Sequence, residues 1–219
     1  PLAEQTVEQW QEVLRVNPSS VGTHYSLISL LLQQNRQDEA VSRLEAMKKV
    51  APKDPSTLYV QAFIDFRSNR LAEARDGVLL ALKAAPEFLP GHLLAGTVLV
   101  RMNDQLQAQT HLNKVLAVAP GQTLARTMLV ASHLAAGEAP RALEVLQPLL
   151  ELRSLDARML GLAGQVYLAN GDYDKAESFF QRATTAAPDD PRARMQLGAA
   201  KLAGGDPQGR VGQSTPRAT

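Results

Sequence analysis

The chain has 219 residues, a net charge of +1 at pH 7 and 5% aromatic residues. Its 23 basic and 22 acidic residues build no strong basic field, so nucleic acid is not an expected partner. The absence of cysteine excludes disulfides, thiolate zinc sites and cysteine nucleophiles, and no apolar run is long enough to insert into a membrane. Because the sequence starts at Pro1 without methionine, we interpret it as part of a longer protein.

Two residue types recur with a common period of 34 residues. Proline closes successive segments at Pro18, Pro52, Pro86 and Pro120. The series breaks at Ser154 and resumes at Pro188. Alanine follows the same period without a break, at Ala40, Ala74, Ala108, Ala142 and Ala176. A fixed period of this length is the sequence signature of a helical repeat array, and it predicts a solenoid over residues 1–203.

In chain order, the array begins with a half repeat over 3–20, which contains only a second helix and has Trp10 at its bulky position. Five whole repeats follow, each predicted to be a pair of antiparallel helices: 21–54, 55–88, 89–122, 123–156 and 157–190. In the fourth of these, Pro148 lies inside the second helix and is expected to bend or loosen residues 149–154.

The array ends with a half repeat over 191–203, which contains only a first helix. Residues 204–219 are rich in Gly, Pro and Ser/Thr and are predicted to form a flexible tail. A terminal helix lacks the neighbouring repeat that would cover its apolar face. We therefore expect both ends to expose apolar surface and the chain to associate end to end at high concentration.

The repeat 157–190 shows the helix pair most clearly. One face of its first helix has residues at steps of three and four: Leu160, Ala163, Gly164 and Tyr167. Asn170-Gly171-Asp172 then ends this helix, because glycine tolerates the left-handed backbone of a tight exit. The second helix contains Ala176, Phe180 and Ala183 before Pro188. Asp190-Pro191, like Asp54-Pro55 earlier, predicts a helix start, with the carboxylate as N-cap.

These residues resemble the tetratricopeptide repeat family. Its pattern has a large residue, Leu-Gly and Tyr in the first helix, Ala, Phe and Ala in the second, and a closing proline. The matching residues here are Leu160, Ala163-Gly164, Tyr167, Ala176, Phe180, Ala183 and Pro188. The likeness covers residues 3–203. It implies an all-α fold, a right-handed superhelix of antiparallel helix pairs. It also implies a protein–protein interaction scaffold that binds a protein or peptide, with neither enzymatic activity nor a cofactor.

In this family the first helices line a concave groove, and the resemblance implies which side chains face it. Carried over, these are Tyr25, Ser29, Gln33, Tyr59, Phe63, Phe66, Arg67, Leu93, Thr97, Arg101, Thr127, Leu134, Arg158, Gln165 and Arg192. Four aromatic residues fall on one wall of it, and aromatic and arginine side chains dominate binding energy at interfaces. The alternative is that these rings pack between helices. Since the positions that hold lysine and asparagine in carboxylate-clamp co-chaperones are aromatic or Ser29 here, an apolar or mixed peptide, or a helix, fits better.

The sequence contains no catalytic or metal-binding motif. The four histidines, His24, His92, His111 and His133, are interpreted as packing or surface residues rather than catalytic groups or metal ligands. Asp38, Asp172 and Asp174 are interpreted as turn and helix-start residues rather than as paired catalytic carboxylates.

Four segments look like a narrower group, the bacterial tetratricopeptide repeat lipoproteins of the PEP-CTERM/exosortase system: 141–150, 160–167, 172–180 and 192–198. Scaffolds of cellulose and alginate export look similar. The resemblance implies a periplasmic, envelope location and a role in protein sorting or exopolysaccharide export, with a cytoplasmic location as the alternative. A second possibility is a repeat region of a larger enzyme, for example a glycosyltransferase, whose catalytic domain lies elsewhere.

Overall fold

The computed structural model describes residues 2–152 and 154–205, and within them it contains α-helices and no strand. The helices are α1 (Leu2–Val16), α2 (Val21–Gln33), α3 (Gln37–Val50), α4 (Pro55–Arg67), α5 (Leu71–Ala84), α6 (Leu89–Arg101), α7 (Gln105–Val118), α8 (Thr123–Ala135), α9 (Ala139–Leu150), α10 (Ala157–Ala169), α11 (Tyr173–Ala186) and α12 (Pro191–Gly205). The all-α prediction is confirmed. Helix α12 includes residues 204 and 205, and the rest of the predicted tail, 206–219, lies outside the described residues.

The sequence period is also the period of the helices. The first helices of the five whole repeats each have 13 residues and begin at Val21, Pro55, Leu89, Thr123 and Ala157. The second helices have 14 residues, except α9, which has 12. Each repeat therefore places a given repeat position on the same face of the same helix.

Side chains at the predicted start signals cap the helices. The Asp54 carboxylate accepts from the backbone N–H of Ser56 at 2.8 Å, and Pro55 is the first residue of α4. The Asp190 carboxylate accepts from the Arg192 N–H at 2.9 Å in the same way. Asp172 accepts from the Lys175 N–H at 3.2 Å. These bonds satisfy backbone donors that a helix start leaves free.

The turn between the two helices of each repeat contains one residue with positive φ. In the last two whole repeats it is Gly137 and Gly171, as predicted for Gly171, with φ of 75° and 77°. In the first three it is Asn35, Asn69 and Asn103, with φ of 60° to 62°. Asparagine is one of the few non-glycine residues that tolerate this conformation.

The chain forms two compact units, residues 1–104 (unit 1) and 105–219 (unit 2), and the division falls between the helices of the third repeat. The core of unit 1 is built from α1 to α4 around the fully buried Leu27, Ile28 and Met47. The core of unit 2 is built from α8 to α12 around Phe180 and Val166.

Pro148 does not interrupt its helix. α9 runs on through Pro148 to Leu150 and ends there, two residues short of the other second helices. Leu149 is 3% exposed and belongs to the core of unit 2. Where the sequence predicted bending or loosening, the structure shows a helix that continues through Pro148 and ends early, at Leu150.

The repeating alanine is fully buried in all five repeats, which agrees with its predicted role at close helix contacts. A larger side chain there must displace packed neighbours, so Ala108→Leu should lower the free energy of unfolding by about 1–3 kcal/mol. Lys114→Leu, at an exposed position of the same helix α7, is the matched control. If urea denaturation gives the two variants the same loss in free energy of unfolding, the assigned repeat register is wrong.

Apolar side chains are exposed on both terminal helices. Val13 and Val16 of α1 are 46% and 79% exposed, and Met195 and Leu202 of α12 are 70% and 80% exposed. This agrees with the expected apolar ends. End-to-end association stays a prediction.

Candidate functional site

The first helices of unit 1 form a pocket of about 350 Å³. Six of its lining residues were predicted to face the groove: Tyr25, Ser29, Gln33, Tyr59, Phe63 and Arg67. Two more, the buried Leu32 and Val60, complete the wall. We call this cavity the Tyr59 pocket. It lies between α2 and α4, because residues at equivalent positions of consecutive first helices face the same side.

The aromatic rings of the pocket are in mutual contact. Tyr59 is the central ring: its centroid lies 6.1 Å from that of Tyr25 and 6.2 Å from that of Phe63, with which it stacks. All three rings are half-buried and also pack against the core of unit 1. The two interpretations of these aromatics therefore hold together, since each ring packs with one side and lines the pocket with the other.

Sequence reasoning missed Phe88, whose ring meets Tyr59 edge-on at 5.2 Å between centroids. Phe88 is the N-cap residue of α6, and its side chain makes no capping hydrogen bond. The equivalent positions at the starts of α4 and α12 hold the capping residues Asp54 and Asp190. An aromatic residue at a position that holds a capping aspartate in other repeats was the available signal.

Arg67 is held at the rim of the Tyr59 pocket by the preceding repeat. Its guanidinium donates to the carbonyl oxygen of Leu32 and to Oδ1 of Asn35, each at 3.0 Å. The guanidinium has five N–H donors, so these two bonds fix its orientation and leave donors for a ligand. The side chain is exposed, and one cation therefore stands beside the aromatic wall.

Arg101 repeats this arrangement one repeat later. It donates to Oδ1 of Asn69 at 2.5 Å, and its guanidinium lies 5.0 Å from the centroid of the half-buried Phe66 ring. Arginine thus reaches back to the positive-φ asparagine of the preceding repeat in both places. Phe66 is one of the predicted groove residues, and the structure places it under Arg101 rather than in the Tyr59 pocket.

The remaining predicted groove residues do not line this pocket. Leu93 and Thr97 lie on α6, where the Thr97 hydroxyl donates to the Leu93 carbonyl at 2.8 Å. In unit 2, Thr127 bonds back to Thr123 in its own helix, and Leu134 packs against the core. The other three predicted residues of unit 2 are exposed: Arg158, Gln165 and Arg192.

The histidines of the first helices have structural partners. His24 and His92 are 2% and 3% exposed, and each Nε2 donates to a proline carbonyl, Pro18 at 2.9 Å and Pro86 at 2.8 Å. His133 is bonded to the Glu138 carboxylate through Nδ1 at 2.6 Å. That hydrogen bond lowers the pKa of Glu138, with a further contribution from Gln109 and from the charge of Arg141. These contacts agree with the packing interpretation.

Burial raises the pKa of Tyr59 to about 12, and the neighbouring Tyr25 adds to the effect. Because the folded-state pKa lies above the unfolded value, this phenol's contribution to stability is present below about pH 10 and is lost as the pH rises towards 12. Tyr59→Phe should therefore lose less stability than the wild-type chain between about pH 9 and about pH 11 in urea denaturation. Equal losses in the two proteins would show that Tyr59 is not buried as described.

The described residues contain no group of three or more His, Asp or Glu side chains that could hold a metal ion. Among the residues that the structure describes, every helix is too short or too polar to span a bilayer.

The sequence and the fold were compared with those of known proteins. Residues 127–191 match the family model described as tetratricopeptide repeat. Among curated proteins, no sequence matches significantly.

Several solved structures share the fold. PilF of Pseudomonas aeruginosa has a TM-score of 0.73 at 18% identity, over 92% of this chain and 91% of that one. PilW, described as a widely conserved type IV pilus biogenesis factor, has a TM-score of 0.72 at 19% identity, over 91% and 90% of the two chains. YrrB, described as a tetratricopeptide repeat protein with an unusual peptide-binding site, has a TM-score of 0.69 at 20% identity, over 90% and 99%. At these identities the likeness concerns the fold, and it confirms the predicted fold class.

Proposed function

Because the chain is a tetratricopeptide repeat protein, we propose that it is a scaffold that binds a segment of a partner protein in the Tyr59 pocket. The observation that supports this most directly is the contact between Tyr25, Tyr59 and Phe63 around an open cavity with Arg67 at its rim. Aromatic and arginine side chains supply most of the binding energy at protein interfaces when they are clustered in this way.

The chemistry of the pocket selects an apolar or mixed peptide. Its floor is formed by Leu32, Val60 and three aromatic rings, which favour a large apolar side chain of the ligand. Arg67, with donors still free, fits a carbonyl or carboxylate oxygen beside that side chain. A clamp for a terminal carboxylate needs several converging donors, whereas this wall has Tyr25, Ser29, Tyr59 and Phe63 at the corresponding positions.

For the wider role we propose a place in the bacterial cell envelope, on the periplasmic side, in protein sorting or exopolysaccharide export. The four segments similar to PEP-CTERM-associated lipoproteins support this. Two of the structurally similar proteins, PilF and PilW, support an envelope scaffold more generally, since PilW is a pilus biogenesis factor. The alternative, a repeat region of a larger enzyme, needs a catalytic domain elsewhere in the polypeptide.

Affinity capture from separated envelope and cytosolic fractions of the source organism tests both parts. The bait is the 219-residue chain, and the matched bait has Arg67→Glu, which reverses the rim charge and leaves the aromatic core in place. We expect a partner from the envelope fraction that the variant retains poorly. A partner held equally by both baits would contradict binding in the Tyr59 pocket, and one found only in cytosol would contradict the proposed location.

A further inference from the structure

At one position of the first helices, a side chain repeatedly donates a hydrogen bond to the proline that closes the preceding repeat. Four residues into α2 and α6, His24 and His92 donate to the carbonyl oxygens of Pro18 and Pro86, the prolines that close the preceding repeats. Arg126 does the same in α8, donating to the Pro120 carbonyl at 2.7 Å. In each case a polar side chain fills the space beside the closing proline and satisfies its carbonyl.

In the fifth repeat this position is Leu160 and Ser154 replaces the closing proline, whereas the second repeat keeps its closing proline, Pro52, and departs from the pattern. The equivalent residue is Leu58, which cannot donate, and among the described residues nothing donates to the Pro52 carbonyl oxygen. A cavity of about 470 Å³ lies at this point. Its lining residues are Pro52, Lys53, Leu58, Leu80, Lys83 and Ala84, and we call it the Leu58 pocket. Departures from a repeat's own pattern are expected where the chain has a function to serve.

The Leu58 pocket combines an apolar floor with free positive charge. Leu80, which is 52% exposed, lines it together with Leu58. Lys53 and Lys83 are exposed, and neither has an ion-pair partner in the part of the chain that the structure describes. Other lysines do have one, since Lys48 pairs with Glu45 at 2.7 Å and Lys175 with Asp172 at 2.7 Å. An occupant that satisfies this surface must be apolar at its centre and acidic at its edges.

We propose that the Leu58 pocket is a second binding site, which takes an acidic segment of a partner protein. One large apolar side chain of that segment inserts between Leu58 and Leu80, and flanking carboxylates pair with Lys53 and Lys83. The Pro52 carbonyl accepts a backbone N–H of the same segment. The pocket shares no lining residue with the Tyr59 pocket, so this proposal stands independently of the proposed function.

The positive charge of Lys53 and Lys83 favours an acidic segment as the occupant of the Leu58 pocket. Two unpaired lysines beside the half-buried Leu58 and the exposed Leu80 attract a peptide that carries both carboxylates and an apolar side chain, and they disfavour a basic or neutral one. The size of the cavity, about 470 Å³, suits a side chain with its adjoining backbone. The chain's net charge of +1 supplies little overall attraction to the phosphates of membranes or nucleic acid.

The test uses the 219-residue chain and a panel of short fluorescent peptides, followed by fluorescence anisotropy. The probe has a central leucine flanked by glutamates. The first control keeps the leucine and has glutamines in place of the glutamates, and the second keeps the glutamates and has a central serine. We expect the probe to bind and both controls to bind at least about tenfold more weakly. A glutamine-flanked peptide that binds as well as the probe would overturn the acidic specificity.

Two variants assign the binding to this pocket. Leu58→His restores the side chain that repeats 1 and 3 use, so it should fold normally, close the pocket and cap the Pro52 carbonyl, with loss of probe binding. Lys53→Glu combined with Lys83→Glu should weaken the probe by about tenfold. Lys114→Glu, at an exposed lysine of α7 that lines neither pocket, is the charge-matched control and should leave probe binding unchanged. Undiminished binding to folded Leu58→His would refute the proposal, as would binding of phosphatidylglycerol vesicles but not of the probe.

Discussion

Replacing Tyr59 and Phe63 together by alanine should weaken partner binding by about a hundredfold or more while the chain remains folded. Tyr59 contacts three other rings, and Phe63 stacks on it, so the double substitution removes the centre of the pocket wall. Residues at such central positions of an interface commonly cost about 2 kcal/mol or more each when truncated to alanine. The binding constant can be measured by titration with the captured partner or its binding segment.

The control for this prediction must separate lost binding from lost folding. Phe179→Ala removes a half-buried aromatic ring of similar size that stacks on Tyr167 in unit 2 and does not line the Tyr59 pocket. It should reduce stability and leave binding intact. If the Tyr59→Ala/Phe63→Ala protein is unfolded by circular dichroism, the rings serve mainly the core. If it is folded and binds normally, the Tyr59 pocket is not the binding site.

Two glycines of α10 should respond to the same substitution with opposite signs. A Cβ atom added at Gly164 would lie 2.6 to 2.9 Å from three ring atoms of Phe180, a residue with no exposed surface. The ring has no free space to move into, so Gly164→Ala should lower the free energy of unfolding by about 1–3 kcal/mol. At Gly161 the nearest atom, Oε1 of Gln196, is 3.6 Å away, which is ordinary contact. Gly161→Ala should therefore stabilise by about 0.5–1 kcal/mol through helix propensity.

Urea denaturation of both variants measures this difference. A further variant, Gly164→Ala combined with Phe180→Leu, should be less destabilised than the sum of the two single changes, because the smaller side chain makes room for the new methyl group. Equal effects of alanine at the two glycines would contradict the close packing of α10 against α11.

The helix pairs could be predicted from the sequence because one period governs them all. Recurrent alanine and proline mark the helix contact and the end of each repeat, and the bounds of α2, α4, α6, α8 and α10 follow the same spacing. Six residues of the Tyr59 pocket were also predicted, because the resemblance to the tetratricopeptide repeat family implies which positions of α2 and α4 face the groove. The period therefore predicts the helix bounds and helix contacts that recur in every repeat.

The features that were missed are those in which one repeat differs from its neighbours. Phe88 meets Tyr59 from a position that holds a capping aspartate in α4, α10 and α12. Leu58 lines a pocket at a position that holds His24, His92 or Arg126 in three other repeats. A third missed feature recurs between repeats: Arg67 contacts Asn35 and Arg101 contacts Asn69, so different positions of consecutive repeats are joined. Such contacts depend on side-chain length and direction, which a pattern of residue types does not specify.

The central claim, that the Tyr59 pocket holds a partner protein, is tested most directly by site-specific photo-crosslinking. A photoreactive phenylalanine analogue at position 63 reports what lies within contact distance of the pocket in the living source organism. The same analogue at position 106, where Leu106 is 78% exposed on α7, is the control for random encounters. We predict a discrete crosslinked protein at position 63 that is absent at position 106. Irradiation that gives no adduct at position 63, or the same adducts at both positions, would contradict the claim.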